Sequence, residues 1–208
     1  MTVDLGGHGQ SSLGRKDWTI YSFGSDVASV VINLGLKRVV LIGHSMGGDV
    51  IVDAALQLPG RVAGLIMVDT YKKLGEGRSP DQIQTFINRF QTNFADSLRP
   101  FVRGMFLPDT DSSLMEYVAM DMSSAPPAVA LSALESSFTH SRQITHDLEQ
   151  IKLPVVALNP DNEPTDVESM QRYGVEVLIM EGVGHFLMLE DPVRFNEILN
   201  TAIKKMVK

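Results

Sequence analysis

The sequence predicts an α/β fold, a mainly parallel sheet with flanking helices and a helical insertion. Four apolar runs rich in Val, Ile and Leu are typical of buried strands, at 38–42, 62–68, 154–159 and 175–180. Stretches with apolar residues at helical spacing lie between and beside these runs. Because strands that alternate with helices pair in parallel, we expect one sheet covered by helices.

The first part of the chain already alternates in this way. Its predicted elements are, in order, a helix at about 17–35, a strand at 38–42, a sharp turn at 43–47, a helix at 47–58 and a strand at 62–68. The first helix ends at Gly35, and Pro59-Gly60 stops the second, since neither residue type continues a helix well. This part predicts two neighbouring strands joined by a helix.

A long stretch without strand character follows, from Thr70 to about Leu148. Prolines separate its helical patterns, at about 80–95, 96–106, 111–122 and 126–139. The later pattern returns to alternation, with a strand at 154–159, a helix at about 165–173, a strand at 175–180 and a final helix at about 191–206. We therefore predict a core from 1–70 and 149–208 and a helical subdomain over 71–148.

Composition narrows the function classes. With 44% hydrophobic and 21% charged residues, the 208-residue chain can bury a core of ordinary size. A net charge of −7 argues against nucleic acid as a partner. The chain has no cysteine, which excludes disulfides and thiol catalysis. No apolar run is long enough to span a membrane, so we expect a cytoplasmic protein without a membrane partner.

The most informative motif is Gly43-His44-Ser45-Met46-Gly47, between a strand and a helix. A serine in such a turn holds its hydroxyl out in an exposed, strained position, and side chains at the flanking glycines would collide with the neighbouring strand and helix. The free N–H groups of the following helix point at negative charge that forms beside Ser45. This context predicts Ser45 as a nucleophile.

Taken with two other motifs, this turn resembles the α/β-hydrolase family. Asp4-Leu5-Gly6-Gly7-His8-Gly9 resembles the family's loop before the nucleophile, with Gly6 in place of a proline, and Gly184-His185 resembles its catalytic histidine turn. The resemblance implies a serine hydrolase, esterase-like, with the order Ser, acid, His. It also implies that 71–148 caps the active site.

The resemblance assigns roles to named residues. Ser45 is the expected nucleophile and His185 the expected base, while Met46 offers a backbone N–H for the oxyanion and His44 is a packing and positioning residue. Four carboxylates compete as the acid: gapless placement after the third strand favours Glu163, then Asp161, with Asp166 and Asp69 as further alternatives. No cofactor is expected, and no cluster has the spacing of metal ligands.

Whole family members carry three strands and a His-Gly loop before the Asp4 motif, so the resemblance implies an N-terminally truncated chain. The expected consequences are a lost oxyanion donor and an exposed edge at strand 38–42, through which the chain would form homo-oligomers. The leading function is hydrolysis of small carboxylic esters or related acyl compounds, including lactones. The alternative is a non-catalytic hydrolase-like protein that binds a ligand or partner, or an inactive fragment.

Overall fold

The computed structural model describes residues 1–207 and confirms the predicted fold class. Within this range four strands form one parallel sheet in the order β1-β2-β3-β4. The strands are β1 (Val39–His44), β2 (Val62–Val68), β3 (Val155–Pro160) and β4 (Val175–Met180). Since each strand pairs in parallel with the next, all four carboxyl ends lie at the same edge of the sheet.

Helices connect and cover the strands on both faces. Their bounds are α1 (Ile20–Asn33), α2 (Met46–Leu56), α3 (Pro80–Gln91), α4 (Phe94–Arg103), α5 (Ser112–Ser123), α6 (Pro127–His140), α7 (Ile144–Gln150), α8 (Val167–Arg172), α9 (Leu187–Glu190) and α10 (Pro192–Met206). The predicted 17–35 helix begins at Ile20 because Thr19 and Ser22 form a capping box there. Among the described helices, none has the length and apolar character needed to cross a membrane.

Alternate side chains of the central strands pack into two separate layers of the core, one on each face of the sheet. On β2, Leu65 and Met67 join the cluster under α1, α2 and α8, while Ile66 and Val68 join the cluster under α9 and α10. This alternation follows from the two-residue period of a strand. Both faces of β2 are therefore buried, which explains why its sequence is almost wholly apolar.

The stretch between β2 and β3 is helical, as the sequence predicts. Helices α3, α4 and α5 share a third cluster, whose buried members are Phe90, Phe94, Leu98, Val102, Phe106, Val118, Ala119 and Phe186. By contrast, Ile144 and Leu148 of α7 belong to the main core under α1 and α2. We call α3–α7 the helical insertion; its role as a cap stays a prediction.

A buried polar cluster ties the helical insertion to α2. Asp49, in the first turn of α2, accepts hydrogen bonds from Tyr71 and from Ser137 Oγ, the latter over 2.6 Å. His140 lies between two carboxylates, with Nδ1 3.3 Å from Asp49 Oδ1 and Nε2 3.1 Å from Asp147 Oδ2. Because both ring nitrogens face acceptors, His140 satisfies both contacts only as an imidazolium.

One edge of β1 has no neighbouring strand within residues 1–207. The other edge pairs with β2, from Val39 opposite Val62 to His44 opposite Val68. A groove of about 660 Å³ runs along the free edge, between α1 and the N-terminal residues 1–5, which form no strand there. Apolar side chains such as those of Val27, Val31 and Ile51 line it.

Candidate active site

Ser45 lies at the junction of β1 and α2 in a strained conformation. Its φ of 52° and ψ of −122° fall outside the regions that residues with a side chain ordinarily adopt. The Ser45 N–H donates to the carbonyl of Val68 at the end of β2 over 2.8 Å, and the Ser45 carbonyl accepts from Gly48 N–H over 3.0 Å. These bonds hold the turn that the motif predicts.

The glycines around Ser45 differ in why they are needed. A Cβ on Gly43 would lie 2.0 Å from the Gly47 carbonyl oxygen, so this position excludes any side chain. Gly47 has nothing within 4 Å of a Cβ, and the expectation of a collision there is wrong. The crowded helix position is instead Gly48, where a Cβ would lie 2.0 Å from Thr70 Oγ1. The close approach of α2 to the end of β2 therefore depends on Gly48.

His185 lies in the loop after β4, which folds back over the carboxyl edge of the sheet. Its backbone N–H donates to the Met105 carbonyl, in the segment after α4, over 2.9 Å. The next residue, Phe186, stacks on Phe106 with ring centroids 4.6 Å apart. The segment between α4 and α5 of the helical insertion thus contacts the histidine loop directly.

Asp69 is the carboxylate that contacts His185. Its Oδ2 lies 2.7 Å from His185 Nδ1, and its own position follows β2, the strand beside the one that leads to Ser45. Since an ionised carboxylate only accepts, Nδ1 carries the proton and Nε2 is left as the acceptor. The side chains of Asp69 and His185 are only 8% and 17% exposed, which strengthens their interaction.

The acids that the sequence favours lie elsewhere, which corrects their predicted contact with the histidine. Glu163 is exposed, and Asp161 accepts a hydrogen bond from Gly182 N–H over 2.8 Å, bracing the turn before His185. Asp166 caps α8 by accepting from Ser169 N–H over 2.9 Å. Among these alternatives, Asp69 alone is brought against the ring.

A signal for Asp69 was present in the sequence. It directly follows an apolar strand that is buried at all but one position, and a charged residue there needs a partner. Its φ of 43° is left-handed, a conformation that aspartate tolerates better than most residues. Burial alone would raise the pKa of Asp69, but the hydrogen bond and charge of His185, together with Lys72, outweigh it and lower that pKa. Asp69 is therefore ionised at neutral pH.

His44 and Met46 flank Ser45 with different surroundings. His44 Nε2 lies 2.8 Å from the His185 carbonyl oxygen, and the two rings are 4.4 Å apart between centroids. Burial and the neighbouring His185 lower the pKa of His44 to about 4, so its ring is neutral at pH 7 and donates from Nε2. Met46 is the first residue of α2, where a backbone N–H has no intrahelical acceptor.

The site can therefore supply a hydroxyl, a ring nitrogen held by a carboxylate and a helix N-terminus. Across residues 1–207, no group of three or more His, Asp or Glu side chains is arranged to hold a metal ion. These parts match the requirements of nucleophilic acyl chemistry: a nucleophile, a base and a group that orients the base.

Both the sequence and the fold are similar to those of known proteins. A model of the alpha/beta hydrolase family matches residues 1–198. The fold is similar to that of a thermophilic esterase from Thermogutta terrifontis, with a TM-score of 0.83, 22% identity and coverage of 99% of this chain and 79% of the esterase. The sequence is 23% identical to 3-oxoadipate enol-lactonase 2 of Acinetobacter baylyi over 210 residues, covering 97% of this chain and 77% of that protein.

A shorter match is closer in sequence. Over 65 residues the chain is 38% identical to an uncharacterized protein of Mycobacterium bovis, which covers 31% of this chain and 19% of that protein. The chain thus aligns with about a fifth of the length of this curated relative. The family model, by contrast, spans nearly the whole sequence, from residue 1 into the last helix. The chain belongs to the alpha/beta hydrolase family.

Proposed function

We propose that this protein is a serine hydrolase that cleaves small carboxylic esters or related acyl compounds, with Ser45, His185 and Asp69 as its triad. The observation that carries the proposal is the 2.7 Å contact between Asp69 Oδ2 and His185 Nδ1, beside the strained serine turn. Family membership supports the same chemistry. Glu163 and Asp161 have no part in the proposed triad.

In the proposed reaction, Ser45 Oγ attacks the acyl carbon while His185 Nε2 takes the hydroxyl proton. Asp69 stays ionised and holds the Nδ1 proton, which stabilises the imidazolium that forms. His185 then gives its proton to the leaving alcohol, and an acyl-serine remains. Water, activated by the same nitrogen, attacks this ester and releases the acid.

The negative charge on the substrate oxygen needs hydrogen-bond donors. The N–H of Met46 supports this role, because it is the first free donor of α2 and lies next to the nucleophile. The positive end of the helix dipole adds to its effect. His44, neutral and already bonded to the His185 carbonyl, is proposed to position the histidine loop rather than to bind the oxyanion.

The substrate class is proposed to include cyclic as well as open-chain esters. Similarity to an esterase and to an enol-lactonase supports this range, since both names describe attack on an ester carbonyl. The helical insertion is proposed as a cap over the site. Its contacts with the histidine loop, from Met105 to His185 and from Phe106 to Phe186, support that placement.

A second candidate function is a non-catalytic protein that binds a ligand or partner. One observation favours it: the free edge of β1 borders an apolar groove of about 660 Å³ that reaches His44 and Gly47 beside the serine turn. Occupation of this groove would need no chemistry at Ser45. The two functions therefore differ in whether Ser45 is reactive.

A fluorophosphonate probe separates these functions, because it reacts with activated serines without a known substrate. We expect covalent labelling of wild-type protein, located at Ser45 by peptide mass spectrometry, and none of Ser45→Ala. Circular dichroism establishes that both proteins are folded. Folded wild-type protein that stays unlabelled would contradict the hydrolase proposal and favour the binding function.

A further inference from the structure

The ammonium of Lys72 joins two turns at the carboxyl edge of the sheet. Its Nζ lies 3.0 Å from Asp69 Oδ1, 2.9 Å from the Pro160 carbonyl oxygen and 3.3 Å from Asn162 Oδ1. An ammonium has three N–H donors, so these three acceptors use all of them. Lys72 thus links the residue that ends β2 to the turn that follows β3.

The two oxygens of Asp69 therefore face different partners. Oδ2 accepts from His185 Nδ1 over 2.7 Å, and Oδ1 faces Lys72. The Lys72 side chain is 22% exposed and that of Asp69 is 8% exposed, so solvent screens the pair only in part. A carboxylate fixed at both oxygens cannot rotate about its Cβ–Cγ bond without losing one contact.

The charged and titratable groups around this pair are few. Asp69 faces His185 and Lys72, and His185 faces Asp69 and the neutral ring of His44. Lys72 therefore supplies the ammonium group of this arrangement. Its removal would leave Asp69 Oδ1 without its ionic partner in a site that water reaches poorly, and would favour protonated forms of both members of the pair.

We propose that Lys72 is a positioning residue for Asp69, which it keeps ionised and turned so that Oδ2 meets His185. The role rests on the proposed triad, and Lys72 itself touches no reacting atom. The same ammonium anchors the 160–162 turn by its carbonyl groups.

The test compares four variants by two measurements. Lys72→Met removes the charge, Lys72→Gln keeps a donor without the charge, and Lys72→Arg keeps the charge. Lys73→Met is the matched control, because Lys73 is half-exposed and pairs with Glu76 away from the triad. The measurements are the pH dependence of fluorophosphonate labelling and the protonation midpoint of His185, followed by nitrogen-15 NMR of its ring.

We expect the midpoint for His185 to rise by roughly one pH unit in Lys72→Met and Lys72→Gln, because a nearby cation has been lost. The acid limb of the pH–labelling profile should shift together with this midpoint. The labelling rate on the plateau of the profile should fall about tenfold, because Asp69 is no longer held in its orientation. Lys72→Arg should label within about threefold of wild type, and Lys73→Met should match wild type.

An unchanged His185 midpoint in the uncharged variants would overturn the proposal, even if their labelling fell. Should Lys72→Met fail to fold, Lys72→Gln carries the same comparison. Wild-type protein that is folded but unlabelled would refute the hydrolase function alone. The NMR midpoints would then still support or overturn the role of Lys72, because they require no catalysis.

Discussion

His44 Nε2 donates to the carbonyl oxygen of His185 over 2.8 Å, so the residue before the proposed nucleophile supports the backbone of the proposed base. This bond needs only a neutral ring. Burial lowers the pKa of His44 to about 4, whereas an exposed histidine in the unfolded chain titrates near 6.5. Between these two pH values, the unfolded chain binds a proton that the folded protein does not.

The first prediction concerns acid stability. The free energy of unfolding should fall as pH drops from about 6.5 to about 4, with His44 contributing roughly 3 kcal/mol of that loss. His44→Gln keeps an amide donor but cannot titrate, so it should lose less stability on acidification. Urea denaturation at pH 7.5 and pH 4.5 measures the difference, with His146→Gln on an exposed histidine as the control. Equal losses in wild type and His44→Gln would refute this account.

A second prediction identifies the acid. Asp69→Asn should lower hydrolysis of p-nitrophenyl acetate by about a thousandfold, because an amide no longer selects the Nδ1-protonated ring. Glu163→Gln should change the rate less than about twofold, since Glu163 is exposed and Asp69, not Glu163, is the carboxylate that contacts His185. Asp161→Asn should have a small effect through the turn at Gly182. A large loss in Glu163→Gln with an active Asp69→Asn would reverse the assignment.

The third prediction concerns strain at Ser45. Ser45→Gly should be more stable than Ser45→Ala by about 1 kcal/mol, because glycine adopts φ 52° and ψ −122° without steric cost. Both variants should lose all fluorophosphonate labelling, since both lack the hydroxyl. Thermal and urea unfolding give the stabilities, and Ser45→Ala serves as the matched control because it keeps a Cβ. If alanine were the more stable residue here, the backbone would not be strained.

The main elements could be predicted because local patterns and tertiary demands agree in them. The predicted strands 62–68 and 175–180 coincide with β2 and β4, and the helical patterns between residues 80 and 139 become α3 to α6. Periodicity and proline breaks report directly on such segments. Ser45 and His185 also stood out, because each lies in a turn with close glycines.

The carboxylate that contacts His185 could not be identified from the sequence, because this contact joins distant segments of the chain. Glu163 and Asp69 both follow strands and both have plausible positions along the chain. Only the fold brings Lys72 against the Pro160 carbonyl and orients the two turns. For the same reason, the requirement for glycine at position 48 could not be predicted. A side chain there would collide with Thr70, which follows the neighbouring strand β2. The spacing of residues along the sequence does not reveal such contacts between distant segments of the same chain.

A fourth prediction concerns the buried cluster of α2 and the helical insertion. Burial alone would lower the pKa of His140, but Asp49, Asp147 and Asp53 outweigh it and raise that pKa. The stabilisation is complete below the unfolded value of 6.5 and is lost as pH rises through the higher folded value. Tyr71 stays protonated throughout this range, because burial and Asp49 raise its pKa far above the ordinary value.

Unfolding free energies measured from pH 6 to pH 9.5 test this cluster. Wild type should lose stability over the alkaline part of the range, and His140→Gln should be less stable at pH 6 by about 3 kcal/mol with a flatter profile. Asp147→Asn removes one of the two flanking charges, so its decline should begin at lower pH. A wild-type profile that matches His140→Gln in slope would mean that folding does not raise the pKa of His140, which contradicts this account.

The last prediction concerns the free edge of β1. In residues 1–207 this edge has no strand beside it, so its backbone N–H and C=O groups on that side are open to pairing with another chain. Ile42, on this strand, is 43% exposed, and the groove beside it is apolar. Because such an edge favours association, we expect a dimer or larger assembly at tens of micromolar.

The variant Ile42→Lys should shift this assembly toward monomer, since a lysine on an edge strand opposes pairing. Light scattering with size exclusion measures the oligomeric state, with Lys73→Met as a surface control. A stable wild-type monomer of 22.8 kDa at tens of micromolar would rule out association through this edge.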